Sequence, residues 1–230
     1  MTCTPLKSAK FTPPQAEEVR SLAFVLIACE ESQAECTVFR AAGAVAFSCD
    51  IQDCSGGHPE WHFKGDVRNL FQVPNYFITQ AGERVYIPRW DLVIAHPPCT
   101  YLSRAAGAFL YRGRHLNWER FRLGLLARRF FMEMYNAPAP FVCVENPVPF
   151  TIFKLPKPTC AVNPSDFGAP WLKKTLYWCR GLPPLILGVQ HPCPRSFVHY
   201  TRGSVNRSKS FKVIAEAMAA QWLPLVKQNL

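Results

Sequence analysis

The chain contains four short runs of apolar, partly β-branched residues, and each run is typical of a strand buried inside a sheet. They are FVLIAC at 24–29, AVAFSCD at 44–50, DLVIAH at 91–96 and FVCVEN at 141–146. A fifth run, TLYWC at 175–179, predicts a later strand. The first four runs therefore predict the centre of a sheet that is covered on both faces.

Apolar residues at helical spacing predict helices around 34–42, over 118–135 and at the C-terminus. The apolar face of the second helix is predicted to hold Trp118, Phe121, Leu125, Leu126, Phe130 and Met134, and that of the last helix Phe211, Ile214, Met218, Trp222 and Val226. Alternating strands and helices predict a doubly wound α/β sheet. A length of 230 residues fits one large domain, so we expect a loose lead-in at 1–14 and a single domain at 15–230.

Polar residues cluster where the predicted strands end. The strand ends carry Cys29-Glu30-Glu31, Asp50, His96-Pro97-Pro98-Cys99 and Glu145-Asn146. In doubly wound sheets ligands bind beyond the carboxyl ends of the strands, so these residues are expected to converge on one rim. The two prolines stiffen the turn that carries Cys99, although a merely buried cysteine would show the same pattern.

The strand-end residues suit a particular chemistry. A thiolate at Cys99 can add to C6 of a cytosine while a protonated Glu145 engages N3, which turns C5 into a nucleophile. Asp50, about 20 residues after the first strand, suits a ribose diol, and Asp66 suits an adenine amino group. Local capping by Glu145 and ordinary surface aspartates are the competing interpretations.

Charge and composition limit the class of protein. A formal net charge of +10 favours an anionic partner such as nucleic acid. The ten cysteines include several inside apolar runs, where buried thiols act as small hydrophobes. The sequence lacks a signal-peptide core and any apolar run of about 18 residues, so we expect a reduced cytoplasmic protein that does not associate with membranes.

Arginines interleaved with aromatic residues follow Cys99 directly. Arg104, Arg112, Arg114 and Arg120 are predicted to contact DNA, although a solvated basic helix face would look similar. Cys49, Cys54, His58 and His62 have spacings that could suit zinc. Because Cys49 lies inside a predicted strand, we expect no metal.

The order of five motifs resembles the DNA cytosine-5 methyltransferases, in particular the short forms found in phages and prophages. The motifs are GDV at 65–67, HPPCTYLS at 96–103, VENP at 144–147, NPSDFGAPWLKKTLYW at 163–178 and SKSFKVIAEAM at 208–218. The resemblance runs from about residue 24 to residue 222. Each motif alone is unspecific, but their order is shared with that family.

The resemblance implies a Rossmann-like class I S-adenosylmethionine-dependent methyltransferase fold, with a mixed seven-stranded sheet and helices on both faces. It implies S-adenosylmethionine as donor, DNA as partner and a cytosine flipped into the pocket. The implied catalytic residues are Cys99, Glu145, Lys173 and Lys174. The implied donor-binding residues are Cys29, Glu30, Asp50, Ile51, Asp66, Val67, Pro97, Lys209 and Ser210.

Departures from the family pattern keep several alternatives open. The first strand runs into ACEES rather than Phe-x-Gly-x-Gly, and Lys173 and Thr175 stand where the family has two arginines, with Lys174 as a substitute. Only a reduced insert, at about 179–207, replaces the recognition domain. Lys209 replaces an asparagine near the donor, so carboxymethyl transfer from carboxy-S-adenosylmethionine, giving 5-carboxymethylcytosine, is one alternative. Modification of free cytosine nucleotides and a non-catalytic DNA-binding relative are two others, and we expect a monomer.

Overall fold

Helices and strands alternate along the chain in the computed structural model, which describes residues 21–104, 109–197 and 210–230. The elements are β1 (Phe24–Ala28), α1 (Ala34–Ala41), β2 (Val45–Asp50), β3 (His62–Lys64), β4 (Asn75–Ile78), β5 (Arg84–Ile87), β6 (Leu92–Ala95), β7 (Tyr111–Arg112), β8 (His115–Leu116), α2 (Trp118–Tyr135), β9 (Phe141–Asn146), β10 (Cys160–Val162), β11 (Trp171–Leu172), β12 (Thr175–Arg180), β13 (Arg195–Ser196) and α3 (Lys212–Gln228). The predicted strands and helices are confirmed, with their ends shifted by a residue or two. None of the described helices is both long enough and apolar enough to cross a membrane.

Seven strands form one mixed sheet in the order β10-β12-β9-β6-β1-β2-β3. The five strands from β3 to β9 are parallel and follow the 3-2-1-4-5 order of a doubly wound sheet. β12 is inserted antiparallel between β9 and β10. The predicted mixed seven-stranded, Rossmann-like methyltransferase fold is therefore confirmed.

Alternate side chains of each central strand enter two separate cores. Val25 and Ile27 of β1 pack with α1 and α3 on one face of the sheet. Phe24 and Leu26 pack with α2 and with the segment around Phe153 on the other face. Because both faces are covered, the central strands are apolar throughout, as their sequences predict.

The apolar face predicted for α2 is partly wrong. Trp118, Leu125 and Leu126 are 72%, 45% and 54% exposed, whereas the helix buries Gly124, Phe131 and Met134. The physical reason is a close approach at Gly124, where the ring of Phe153 lies against the helix backbone. That approach turns the helix so that a glycine, rather than the bulky residues beside it, faces the core.

We predict that Gly124→Ala destabilises the protein. A Cβ at this position would lie 2.1 Å from Cζ of Phe153, which is 1% exposed and stacked on Phe121, so the ring cannot move aside cheaply. Overpacking of this kind typically costs about 1–3 kcal/mol. Without that clash, replacing a helical glycine by alanine would stabilise the helix by about 1 kcal/mol.

Chemical denaturation of Gly124→Ala beside Leu126→Ala measures this effect. The control removes an exposed side chain from the same helix and is expected to change stability by less than about 0.5 kcal/mol. A gain in stability for Gly124→Ala would contradict the packing described here.

Candidate active site

The sheet brings five sequence-predicted residues to one edge. β1, β2, β6 and β9 are parallel and end there, which places Cys29, Asp50, Cys99 and Glu145 together. β12 is antiparallel to β9 and therefore begins at the same edge, which adds Lys173. These residues line a cavity of about 400 Å³, together with Glu30, Glu31, Ser32, Gln52, His96, Pro97, Pro98, Thr100, Pro147 and Ser210.

A second pocket, of about 230 Å³, adjoins the first and shares Cys29, Asp50, Gln52 and Pro98 with it. Its remaining walls are Cys49, Ile51, Gly65, Asp66, Val67, Arg68 and Phe130. The side chain of Ile51 is 76% exposed, so it offers an apolar surface at the pocket wall. The combination of an apolar slot with two carboxylates suits a flat heterocycle that carries hydroxyl and amino groups.

Asp50 and Asp66 are held by different neighbours. Oδ1 of Asp50 accepts a hydrogen bond from the amide of Gln52 at 2.9 Å. Both oxygens of Asp66 accept from the Arg68 guanidinium, and Oδ1 also accepts from the Arg68 amide at 3.0 Å. The hydrogen bonds from Arg68 lower the pKa of Asp66 below its ordinary value. Asp66 is therefore a carboxylate at the pocket wall that Arg68 holds in place through both of its oxygens.

The turn from β1 into α1 takes a left-handed backbone without glycine. Cys29 has φ of 60° and Gln33 has φ of 56°, a conformation that glycine adopts more readily. Burial, with help from Asp50 and Asp66, raises the pKa of Cys29 to about 12, so its thiol is neutral.

Glu30 caps the start of α1 with its side chain. Its carboxyl accepts hydrogen bonds from the amides of Glu35 at 2.6 Å and Cys36 at 3.2 Å. Burial and the neighbouring Glu35 raise the pKa of Glu30 to about 8, against the opposing effect of those amides and of His96. Glu30 therefore lies at the cavity wall with most of its hydrogen-bonding capacity turned towards the helix.

Cys99 begins a tight turn in which its carbonyl accepts from the amides of Leu102 and Ser103. Burial and then Glu145 raise the pKa of the Cys99 thiol, while Lys173 acts in the opposite direction. Burial lowers the pKa of Lys173 itself, against the effect of Glu145 and Cys99. Glu145 and Lys173 thus act in opposite directions on the protonation of the Cys99 thiol.

The predicted DNA-contacting arginines lie in different environments. Nη2 of Arg120 donates to the carbonyl of Thr100 at 2.9 Å, and its guanidinium lies over the Tyr101 ring, so it braces the turn that carries Cys99. Arg112 and Arg114 are exposed on either side of Gly113 in the β7–β8 hairpin, and Arg104 is exposed beside that turn.

Other predicted residues lie outside this cluster. Lys174 is exposed, unlike the half-buried Lys173 beside it. Lys209 falls in the segment 198–209, which is outside the described residues, as are the lead-in at 1–14 and the end of the insert at 179–207. In the described part of that insert, β13 pairs with β11.

Three of the four residues of the alternative zinc site are engaged elsewhere. Sγ of Cys49 donates to the carbonyl of Gly65, and the ring nitrogens of His62 contact Ser48 and Gln52. His58 stacks on Trp61. Among the residues that the structure describes, no three His, Cys, Asp or Glu side chains group as metal ligands.

Two residues join the site that the sequence assigned neither to catalysis nor to donor binding: His96, which was expected only to lie at this edge, and Glu35, which sequence reasoning missed. Nε2 of His96 lies 2.9 Å from Oε2 of Glu35, and its Nδ1 lies 3.5 Å from Oε2 of Glu145. His96 directly precedes the Pro-Pro-Cys turn, which is a sequence signal for the site. Glu35 carries no such signal, because an acidic residue in the first turn of a helix is ordinary.

Comparisons with known proteins find distant structural likeness only. No protein-family model matches the sequence, and no curated protein matches it. The Entamoeba histolytica methyltransferase EhMeth is 15% identical with a TM-score of 0.36, over 83% of this chain and 63% of that one. A triple-substitution variant of Spodoptera frugiperda DNMT2 is 12% identical with a TM-score of 0.34, over 76% of this chain and 56% of that one. The chain spans less than two thirds of either protein, and likeness at this level carries no argument about activity.

We predict that Cys99 alkylation reports the charges around the thiol. Glu145→Gln removes a negative charge that raises the thiol pKa, so alkylation at pH 7.5 speeds up. Lys173→Gln removes an opposing positive charge, so alkylation slows. Because the thiolate is the reactive form, a pKa change of one unit alters its population about tenfold.

Mass spectrometry of the Cys99 peptide after timed iodoacetamide treatment separates this thiol from the others. Lys174→Gln is the matched control, because that neighbouring lysine is exposed, and it should leave the rate unchanged. Equal rates in Lys173→Gln and Lys174→Gln would contradict the electrostatic coupling.

Proposed function

We propose that this protein transfers a methyl group from S-adenosylmethionine to C5 of cytosine in DNA, with Cys99 as the nucleophile. The observation that carries the proposal is the meeting of Cys99, Glu145 and Lys173 in one cavity, which adjoins the pocket of Asp50 and Asp66. The cavity that would hold the reacting base and the pocket that would hold the donor's nucleoside therefore share a wall. The motif order that resembles DNA cytosine-5 methyltransferases gives independent support.

Cys99, Glu145 and Lys173 each have a role in the proposed reaction. Cys99 passes its thiol proton to the Glu145 carboxylate as Sγ forms a bond to C6 of the pyrimidine. Glu145 then passes that proton to N3, as electron density moves into the ring. Lys173 lines the same cavity and lowers the thiol pKa, so it can stabilise the developing thiolate. C5 would then accept the electrophilic methyl group, with the donor's sulfur as the leaving group. Loss of the C5 proton to a base, expulsion of Cys99 and return of the N3 proton to its thiolate would restore the aromatic ring and the thiol.

The adjoining pocket fits the donor by the chemistry of its walls. Ile51, Val67 and Phe130 offer apolar contacts for an adenine ring, while Asp50 and Asp66 offer acceptors for hydroxyl and amino groups. S-adenosylmethionine, when bound, supplies an electrophilic methyl group. Cys29, Glu30, Pro97 and Ser210 line the neighbouring cavity, where they would contact the donor's amino-acid end.

The surface near Cys99 suits a nucleic acid. Arg112 and Arg114 are exposed at the hairpin tip, and Tyr111, Phe109 and Trp118 are 41%, 64% and 72% exposed close to it in sequence. Exposed cations bind phosphates, and exposed aromatic rings stack on unpaired bases. This combination favours DNA over a free nucleotide as the substrate.

We predict that the purified protein, given S-adenosylmethionine and DNA, produces 5-methylcytosine. Cys99→Ala should give none, because it lacks the nucleophile. Glu145→Gln should be slower by about 10²–10⁴-fold, the usual worth of a general acid–base group. Mass spectrometry of the digested nucleosides identifies and quantifies the product.

The same assay separates the alternatives. Parallel reactions offer carboxy-S-adenosylmethionine as the donor and a free cytosine nucleotide as the acceptor. A carboxymethyl product, or modification of the free nucleotide alone, would replace the proposal by the corresponding alternative. Binding of DNA without any product would support a non-catalytic relative.

A further inference from the structure

We propose that His96 is a positioning residue, which as an imidazolium between the carboxylates of Glu35 and Glu145 fixes the orientation of Glu145. Its catalytic consequence rests on the proposed function, whereas the charge arrangement itself does not. Neither His96 nor Glu35 is among the catalytic and donor-binding residues assigned above. His96, at the end of β6, thus connects Glu35 of α1 to Glu145 of β9.

The geometry around His96 favours a doubly protonated ring. Both ring nitrogens of His96 face carboxylate oxygens, Glu35 at 2.9 Å and Glu145 at 3.5 Å. A neutral imidazole has one N–H and can donate to only one of them. The imidazolium donates to Glu35 and presents its second N–H to Glu145, and it places one positive charge between two negative ones, so this protonation state is the one that the arrangement favours.

Burial makes the link energetically important. The side chains of Glu35, His96 and Glu145 are 2%, 14% and 18% exposed. A charge removed from water in this way is tolerated when it is paired. Loss of the positive charge on His96 would leave the buried Glu35 carboxylate without a compensating charge, which is energetically costly.

The other titratable groups around His96 act in known directions. Burial lowers the pKa of His96, but Glu35 and Glu145 outweigh it, and the pKa lies well above the ordinary value. Glu30, beside Glu35, holds a proton near neutrality because its pKa is about 8. Other titratable groups in this part of the site are Lys173, Cys99, Cys143 and Tyr177. The pKa values of the two thiols and of the Tyr177 phenol are raised.

The consequence for Glu145 is a fixed orientation. Its Oε2 is directed at His96, so contact with a base in the cavity falls to Oε1. The backbone of His96 is fixed as well, because its own amide, directly after β6, donates to the carbonyl of Ala28 at 2.9 Å. Glu145 is therefore held from the side of the sheet before any substrate arrives, which is the arrangement expected of a preorganised acid–base group.

Histidine-selective NMR tests the charge without any need for activity. In uniformly labelled wild-type protein, with His96→Gln to assign the signal, both ring nitrogens of His96 should be protonated at pH 7.5. An ordinary histidine is about nine-tenths neutral there. Glu35→Gln and Glu145→Gln should each move the titration to lower pH, whereas Glu119→Gln, which changes a first-turn glutamate of α2, should leave it unchanged. A neutral His96 in the wild type, or an unmoved titration in Glu35→Gln, would overturn the inference.

Kinetics test the positioning role. Glu35 does not touch the proposed substrate, yet Glu35→Gln should lower kcat about tenfold or more while KM for DNA stays the same. It should also move the alkaline limb of the kcat profile to lower pH, since it removes the charge that raises the pKa of His96. Wild-type kcat and pH profile in Glu35→Gln would overturn the positioning role. If the wild type transfers no methyl group, the proposed function fails, and the NMR result still decides the charge of His96.

Discussion

Parallel pairing in the sheet is the constraint on which the candidate site depends. β1, β2, β6 and β9 can be parallel neighbours only if their carboxyl ends share one edge, so residues separated by more than a hundred positions meet there. β12 enters antiparallel beside β9 and starts at that edge, which brings in Lys173. A change in this register would separate Cys99 from Glu145, whatever the surrounding side chains.

Burial of charge is the second constraint, and it follows from the first. The shared edge concentrates the carboxyl groups of Glu30, Glu35, Asp50 and Glu145, but the described part of the site supplies few cations to balance them. The pKa of Glu30 is raised to about 8, so it keeps its proton near neutrality. The pKa of His96 is raised as well, although burial alone would lower it. Cys99 stays a thiol in this field. In the proposed reaction the thiolate would therefore form only as the substrate binds.

Sequence patterns predict the fold and the edge residues well, because both depend on local features. Buried parallel strands are apolar runs, and the rule about their carboxyl ends selects Cys99, Asp50 and Glu145. The face of α2 was mispredicted, since the contact between Gly124 and Phe153 is tertiary and leaves no periodic signal. The pairing of Glu35 with His96 spans 61 residues, and the pairing of Asp66 with Arg68 redirects a carboxylate that its motif assigns to a ligand. Such choices of partner are settled by packing, not by spacing.

Covalent trapping on DNA tests the central claim, that Cys99 attacks C6 of a cytosine, most directly. DNA that contains 5-fluorocytosine cannot lose a C5 proton, so an enzyme that acts by this route stays attached once the donor's methyl group has been transferred. The account predicts a denaturation-resistant adduct with the wild type and S-adenosylmethionine, mapped by mass spectrometry to the Cys99 peptide and missing in Cys99→Ala. An adduct at wild-type yield in Cys99→Ala, or one mapped to another cysteine, would contradict it.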